Sequence, residues 1–332
     1  MSDIKEVAQR AGVSIATVSR VLNNSGPVSE KSRKKVCDAV EALDYKRNNL
    51  ARSFRMRRSG SLMMISNDIR NPFFPPIVRG MEDAAAQMGY SLLIGNADNS
   101  SEKVLHYLND VMMHKADGVI LMTPCCPHDK LIEFARAVPM VLLNTHLGHD
   151  IPSIGIDDTA AFACLAEHLI SLGHRNIVYF AAARIGVAEK RLQGYRSALE
   201  KHQIPFKPEF VLQIENTTMA SGYDGMARLL ERRERPTAVM AYNDQIAIGA
   251  LRCAKEHGVR VPEDISITGF DDIAFSTAVE PALTTVHQPA YEMGKMAAER
   301  LFDVLNGTAC TQHTQLPEWK LIVRASTGPA SR

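Results

Sequence analysis

From Ser61 onward the sequence alternates apolar runs of strand length with longer amphipathic stretches, and this alternation restricts the fold more than any other feature. Strand-like runs fall at Leu62–Ser66, Ser91–Ile94, Val119–Met122 and Met140–Leu143, with helical spacing between them at Pro76–Met88, Glu102–His114 and Lys130–Ala137. A second series of runs follows at Ile177–Phe180, Phe210–Ile214, Ala238–Ala241 and Ile265–Gly269. Its helices are expected at Ala160–Leu172, Glu189–His202, Ser221–Glu234 and Gln245–His257. Repeated βα units build parallel sheets covered by helices on both faces. A break near Ile156–Asp158 divides them into two similar lobes, each near the usual size of a domain.

The first 45 residues follow a different period. In DIKEVAQRAGVSIATVSRVLNN, residues 3–24, Ile4, Val7, Ala8 and Ala11 recur at the spacing of one apolar helix face. Gly12 permits the positive φ of a tight turn, and Ser14 is a good N-cap for a second helix running to Asn23. Val18, Val21 and Leu22 pack back on the first helix, which leaves Ile15, Ala16, Thr17, Ser19, Arg20 and Asn23 facing outward. Two such helices form either an ordinary helical hairpin or a helix-turn-helix whose second member enters a major groove. Ser29 caps a third helix, in which Val36, Ala39, Val40 and Leu43 repeat the apolar spacing, and Tyr45 closes the unit.

Charge separates the two alternatives. Residues 1–60 hold 5 Lys and 8 Arg against 3 Asp and 3 Glu, a balance of +7 in a chain whose net charge is +1, so the rest carries −6. A basic head on a mildly acidic body fits nucleic acid at one end and repulsion from it at the other. KRNNLARSFRMRRSG, residues 46–60, adds five of those Arg and one Lys. It reads as a basic linker with a short helix at Asn48–Phe54 that would be marginal on its own.

At 332 residues, the chain is expected to hold two or three units, and its 45% hydrophobic content is ample for a core. No apolar run is long enough to span a membrane and the first residues are polar, so a cytoplasmic protein is expected. Cys37, Cys125, Cys126, Cys164, Cys253 and Cys310 form no C-x-x-C pair and have no His at finger spacing. They read as buried reduced thiols, and neither a metal nor a cofactor is expected.

Ligands of open α/β sheets bind beyond the carboxyl ends of the strands. In the first lobe those ends are followed by Phe73 and Phe74, by Asn96 and Asp98, by Thr123 and by Asn144. In the second they are followed by Arg184 and Arg191, by Asn216 and Thr217, by Asn243 and Asp244, and by Asp271 and Asp272. Amide, carboxylate, guanidinium and phenyl groups facing each other across a closing crevice suit a small polyhydroxylated ring. Asp158 and Asp244 read better as helix caps, and of Asp271 and Asp272 one is expected to cap while the other faces the crevice. Phe73 is the expected wall and Phe74 the expected core residue. Arg191, placed in the first turn of a helix, calls for a partner across the crevice because the macrodipole does not favour a cation there.

These residues together resemble the lac repressor/galactose repressor family of bacterial transcription factors over nearly the full length. The resemblance is carried by VAQRAGVSIATVSRVLN (7–23), LARSF (50–54), NPFF (71–74), HLISLGHRNI (168–177), RLQGY (191–195), PTAVMAYNDQIAIGAL (236–251), VPEDISITGFDD (261–272), ALTTVHQP (282–289) and LIVRAST (321–327). It implies a helix-turn-helix head over residues 1–45, a hinge over 46–60, and a two-lobed periplasmic-binding-protein-like core with two doubly wound parallel sheets over 61–332. The N-lobe would take about 61–157 plus 287–315, and the C-lobe about 158–286 plus 316–328.

The resemblance implies a dimer reading two half-sites of a near-palindromic operator. Ile15, Ala16 and Arg20 stand where such repressors meet base edges, Thr17, Ser19 and Asn23 are placed for phosphate or mixed contacts, and Ser14 at the helix start is counted with these DNA-binding residues. In the hinge the family commonly inserts a Leu into the minor groove; this chain has Phe54, also a wedge residue, with Arg52, Arg55, Arg57 and Arg58 for phosphates. The implied effector residues are Phe73, Thr123, Asn144, Arg191, Asn243, Asp271 and Gln288. Asn144 stands where many sugar-binding relatives carry Asp, and the Phe pair also suits a nucleobase or nucleoside. An enzyme is disfavoured because G-x-S-x-G, G-x-G-x-x-G after a strand, GK[ST] and H-E-x-x-H are all missing from the sequence. A solute-binding protein would share the core but not the basic head. A dimer without a tetramerising leucine-heptad tail is therefore expected.

Overall fold

The computed structural model describes residues 3–23, 25–45, 58–122, 126–145, 151–182, 186–233, 235–308 and 317–331. It divides into two compact units, Met1–Arg57 and Arg58–Arg332. The expected helix at Asn48–Phe54, and with it Arg52 and Phe54, lies outside the described residues, as do Thr123, Arg184, Cys125 and Cys310.

The first unit holds three helices, α1 (Ile4–Ala11), α2 (Ile15–Asn23) and α3 (Glu30–Ala42). Asp3 and Glu6 close a capping box at the start of α1, satisfying amides that the helix itself leaves free. Gly12 ends α1 with φ 64°, a left-handed conformation that costs a residue with a Cβ about 1–2 kcal/mol. Val7, Ala8, Ala11, Val18, Val21, Val36 and Ala39 form the core, and Ile4, Leu22, Val40, Leu43 and Tyr45 pack partly buried against it.

In the second unit, β1 (Ser61–Ser66), β2 (Ser91–Asn96), β3 (Gly118–Met122), β4 (Met140–Leu143) and β5 (Ser153–Ile154) form one sheet in the order β2-β1-β3-β4-β5. A second sheet holds β6 (Ile177–Ala182), β7 (Val211–Ile214), β8 (Ala238–Ala241) and β9 (Ser266–Thr268) in the order β7-β6-β8-β9. Every pairing within these two sheets is parallel. Their strands are buried on both faces, except the outer strands β2 and β7, as helix-covered parallel sheets require. The order reverses direction beside β1 and β6, so each sheet has a crevice at the carboxyl ends of its first strand and the neighbouring third.

The helices are α4 (Phe74–Gln87), α5 (Ser101–Met112) and α6 (His128–Ala135) in the first lobe. The second lobe has α7 (Asp158–Ser171), α8 (Gly186–Lys201), α9 (Met219–Leu230) and α10 (Asp244–Glu256). After β10 (Thr285–His287), α11 (Ala290–Leu305) packs against α4 of the first lobe. A Cβ on Gly80 would meet the Tyr291 carbonyl at 2.0 Å, so glycine is what lets α4 and α11 approach this closely. The chain then passes through β11 (Lys320–Ile322), which pairs antiparallel with β10. This small antiparallel sheet and the two-residue β5 were absent from the sequence-based expectation.

Several other expectations are corrected. The helices of both lobes begin one to three residues before the expected starts; at α5, α7, α9 and α10 a polar cap, Ser100, Asp157, Thr218 or Asn243, sets the start, whereas α4 and α6 have no side-chain cap. Asp157, not Asp158, caps α7, accepting from the Ala160 amide at 2.9 Å. Asn243, not Asp244, caps α10, and Asp272 caps no helix, pairing instead with Arg324 and His287. Cys37 is exposed, contrary to the expectation of buried thiols, whereas Cys126 and Cys253 are buried.

Candidate functional site

The head presents the outer face of α2. Ser14 Oγ accepts from the Thr17 amide at 3.2 Å and lies 2.9 Å from Thr17 Oγ1, which fixes the start of the helix. Val18 and Val21 are buried on the inner face. Ser14, Ile15, Ala16 and Arg20 are exposed, Ile15 to 45%, while Thr17 and Ser19 are half-buried and Asn23 ends the helix. An exposed Ile beside an Ala offers apolar contact, of the kind a thymine methyl can take. Arg20 adds a planar guanidinium fork to the same exposed face.

The second unit encloses a cavity of about 420 Å³ between the carboxyl ends of the two parallel sheets. Phe73, Asn144, Arg191, Asn243, Asp271 and Gln288 all line it. Phe74 lines it too, at a ring-centroid distance of 6.1 Å from Phe73, so the wall is shared by both phenyl groups. The sequence reading passed over the loop after β1, where Asn67, Asp68, Arg70 and Asn71 line the mouth, and over Tyr242 and Gln245. Their position directly after a strand at the reversal of sheet order is the signal that would have found them.

Arg191 is the sixth residue of α8, in its second turn rather than its first, so the macrodipole is not the reason for its partner. Nor does that partner sit across the cavity. Arg191 Nε donates to Asp158 Oδ1 at 2.9 Å, and Nη1 donates to the Tyr242 carbonyl, all within the second lobe. The guanidinium lies over the Phe270 ring at 3.8 Å and the Tyr242 ring at 4.4 Å. Burial works against its charge, but Asp158, Tyr242 and Asp271 more than offset this, and it stays protonated.

Asp271 sits at φ 117° with its amide donating to the Val286 carbonyl at 2.9 Å. Its Oδ1 accepts from Gln288 Nε2 at 2.7 Å and lies 4.0 Å from Arg191 Nη2. Burial pushes its carboxyl up to about 8, against the pull of Arg191. Asp244 is buried outside the cavity lining and staples the second lobe, accepting from the Ile273 amide, Ser276 Oγ and Thr285 Oγ1 at 2.9, 2.7 and 2.6 Å. Burial raises it to about 6 despite those bonds.

Asn243 Oδ1 accepts from the Ile246 amide at 3.0 Å as the cap of α10, so it has a structural duty as well as a place in the lining. Asn144, at φ 56°, has a buried Oδ1 with no partner among the described residues. An acceptor left unpaired out of water costs free energy, which a donor on a bound molecule would recover. No group of three His, Cys, Asp or Glu side chains among the described residues is arranged to hold a metal. No described helix is long and apolar enough to cross a membrane.

Two family models match the chain, one described as bacterial regulatory proteins, lacI family, over residues 3–48, and one as a periplasmic binding protein-like domain over residues 166–327. Catabolite control protein A of Priestia megaterium is 34% identical over 98% of this chain and 98% of its own. The HTH-type transcriptional repressor CytR of Escherichia coli (strain K12) is 35% identical over 98% of this chain and 96% of its own. Among solved structures, the lac repressor dimer bound to operator and the anti-inducer ONPF has a TM-score of 0.88 at 28% identity, covering 98% of this chain and 99% of that one.

Proposed function

Because the chain belongs to the lacI family of bacterial regulatory proteins and is a DNA-binding transcriptional regulator, we propose that it is a homodimeric repressor whose operator affinity is set by a small metabolite held between its two lobes. The observation that carries this proposal is the cavity itself, lined from both sheets at their carboxyl ends. A ligand contacting both lobes binds one relative orientation of them better than another, and only such differential binding shifts a conformational equilibrium. The regulator acts in the cytoplasm, where bacterial DNA lies, and works by binding rather than catalysis.

Each protomer reads a half-site with α2. Ile15, Ala16 and Arg20 take base edges, and Ser14, Thr17, Ser19 and Asn23 take phosphates or mixed contacts. Arg52 and Phe54 belong to this proposal as hinge contacts to DNA. The partner subunit is assigned to the outer edge of the first sheet, where Leu93 and Ile94 of β2 are 38% and 52% exposed. An uncovered edge strand with exposed apolar residues is a surface that proteins normally pair or cover.

The metabolite is a sugar or a nucleoside. Phe73 and Phe74 supply an apolar wall, Thr123, Asn144, Asn243 and Gln288 supply hydroxyl and amide groups, and Arg191 and Asp271 supply a guanidinium and a carboxyl at its floor. Asn144, with its unpaired acceptor, would accept from an O–H of a sugar or from an N–H of a base, and the Phe pair offers a flat face to either.

The test selects a DNA target from a random pool with the full chain. Its affinity is then measured with and without ribose, galactose, cytidine and adenosine. A change in affinity with one of them supports the proposal. Equal affinity throughout, with no thermal stabilisation by any of them, removes the sugar or nucleoside as effector.

A further inference from the structure

Strand β1 begins at Ser61, but the second unit begins three residues earlier, at Arg58. Those three residues precede the strand, and each is held in place. Ser59 donates its amide to Asp117 Oδ1 at 2.6 Å and its hydroxyl to the same oxygen at 3.0 Å. The Gly60 amide donates to Asp117 Oδ2 at 3.0 Å. Arg58 Nη2 donates at 3.3 Å to the carbonyl of Leu305, the last residue of α11.

Asp117 is the centre of this clamp. It stands half-buried immediately before β3, and its two oxygens take three donors from two successive residues. Hydrogen bonds to a carboxylate are the stronger kind. Gly60 makes the arrangement possible: its φ is 69°, while a Cβ there would meet nothing within 4 Å, so glycine answers to the turn and not to crowding. Strand β1 is already paired on both sides, with β2 from Ser61 and with β3 from Leu62, so its register does not depend on the clamp. What the clamp adds is a fixed point at which the chain from the head joins the first lobe.

We propose that Asp117 is a positioning residue for DNA recognition: by fixing Ser59 and Gly60 it sets where the tether of each head begins, and so which half-site spacing the dimer accepts. This rests on the reading of the chain as a dimer with two DNA-reading heads. Once one head is bound, the second binds intramolecularly, with an effective concentration set by the length and stiffness of its tether. Freeing Arg58, Ser59 and Gly60 adds roughly 10 Å of reach in each subunit. One inserted base pair moves a half-site by about 3.4 Å and turns it by roughly 35°. The clamp therefore confines each tether on the scale of single base pairs.

The experiment takes the DNA selected by the full chain, two derivatives with one and two base pairs inserted between its half-sites, and a duplex carrying a single half-site. Affinities are measured by fluorescence anisotropy at fixed salt for wild type, Asp117→Ala and Asp117→Asn. The last keeps the size but turns an NH₂ group toward one of the donors. Inserting one base pair weakens wild type by about 100-fold, because the second head is lost, and weakens both variants by about 10-fold or less. All three proteins bind the single half-site equally, which damage to the fold would not allow. Variants that lose as much as wild type on insertion overturn the proposal, and so does a wild type that tolerates the insertion. A variant weakened on the single half-site as much as on the full site overturns it as well. If Asp117→Ala fails to fold in a thermal melt, Asp117→Asn carries the test. Selected DNA without two half-sites overturns the two-headed reading itself and the proposal with it, an outcome distinct from all the others.

Discussion

Arg191 Nε donates to Asp158 Oδ1 at 2.9 Å with both side chains withdrawn from water, so the deepest charge at the cavity is compensated from within its own lobe. Removing one partner of such a pair strands the other. Asp158→Ala therefore destabilises the second unit by about 3–5 kcal/mol, read as a shift of the urea midpoint at constant slope. A loss within the range of an exposed ion pair, under about 1 kcal/mol, contradicts the burial of the pair.

The Asp271 carboxyl, pushed up to about 8 by burial, makes stability depend on pH with a defined sign. The unfolded chain loses this proton near the ordinary Asp value, whereas the folded chain keeps it to about 8. The folded state therefore binds more protons in that window, and the contribution of Asp271 is full at the acid end and lost as pH rises through it. Asp244, raised to about 6, acts in the same direction over a narrower window. Between pH 5 and 8 wild type loses stability relative to Asp271→Asn in thermal unfolding. A wild type that gains on the variant as pH rises contradicts the burial of that carboxyl.

Arg20 is the exposed fork on the outer face of α2. Arg20→Ala lowers discrimination between the selected DNA and a random duplex by about 1–3 kcal/mol, measured by competition binding at fixed salt. Ligand affinity of the second unit is unchanged. Equal losses on specific and random DNA assign Arg20 to phosphate rather than to a base.

Gly12 ends α1 at φ 64°. Gly12→Ala costs about 1–2 kcal/mol in the head, seen as faster amide exchange at Val7, Val18 and Val21 in the full chain. Unchanged exchange would mean that the turn takes another conformation in solution.

The parallel sheets and the head were legible in the sequence because both rest on local periodicity. The Gly12 turn and the Ser14 and Ser29 caps could be read residue by residue, since a cap needs only its own side chain and an amide three residues on. What stayed hidden is non-local. Asp158 and Arg191 stand 33 positions apart, and nothing in the spacing shows that they meet, so Asp158 read as a cap and Arg191 as a residue in search of a distant partner. Two-residue β5 is too short to show a period, and β10 and β11 are strands of three residues whose pairing links distant parts of the chain. The lining was found at Asn144 and Asn243 beside strand ends, and missed at Asn67 and Tyr242, which directly follow β1 and β8, and at Asp68 and Arg70, because polar residues in a loop carry no period.

The central claim is that a molecule seated between the lobes changes the grip of the head on DNA. It is tested most directly by measuring the affinity of the full chain for its selected DNA, by fluorescence anisotropy, at zero and at saturating concentrations of a ligand shown calorimetrically to bind. The predicted result is a change of about 5–150-fold in wild type, lost in Asp271→Ala. DNA affinity that stays constant while the ligand is demonstrably bound would contradict it.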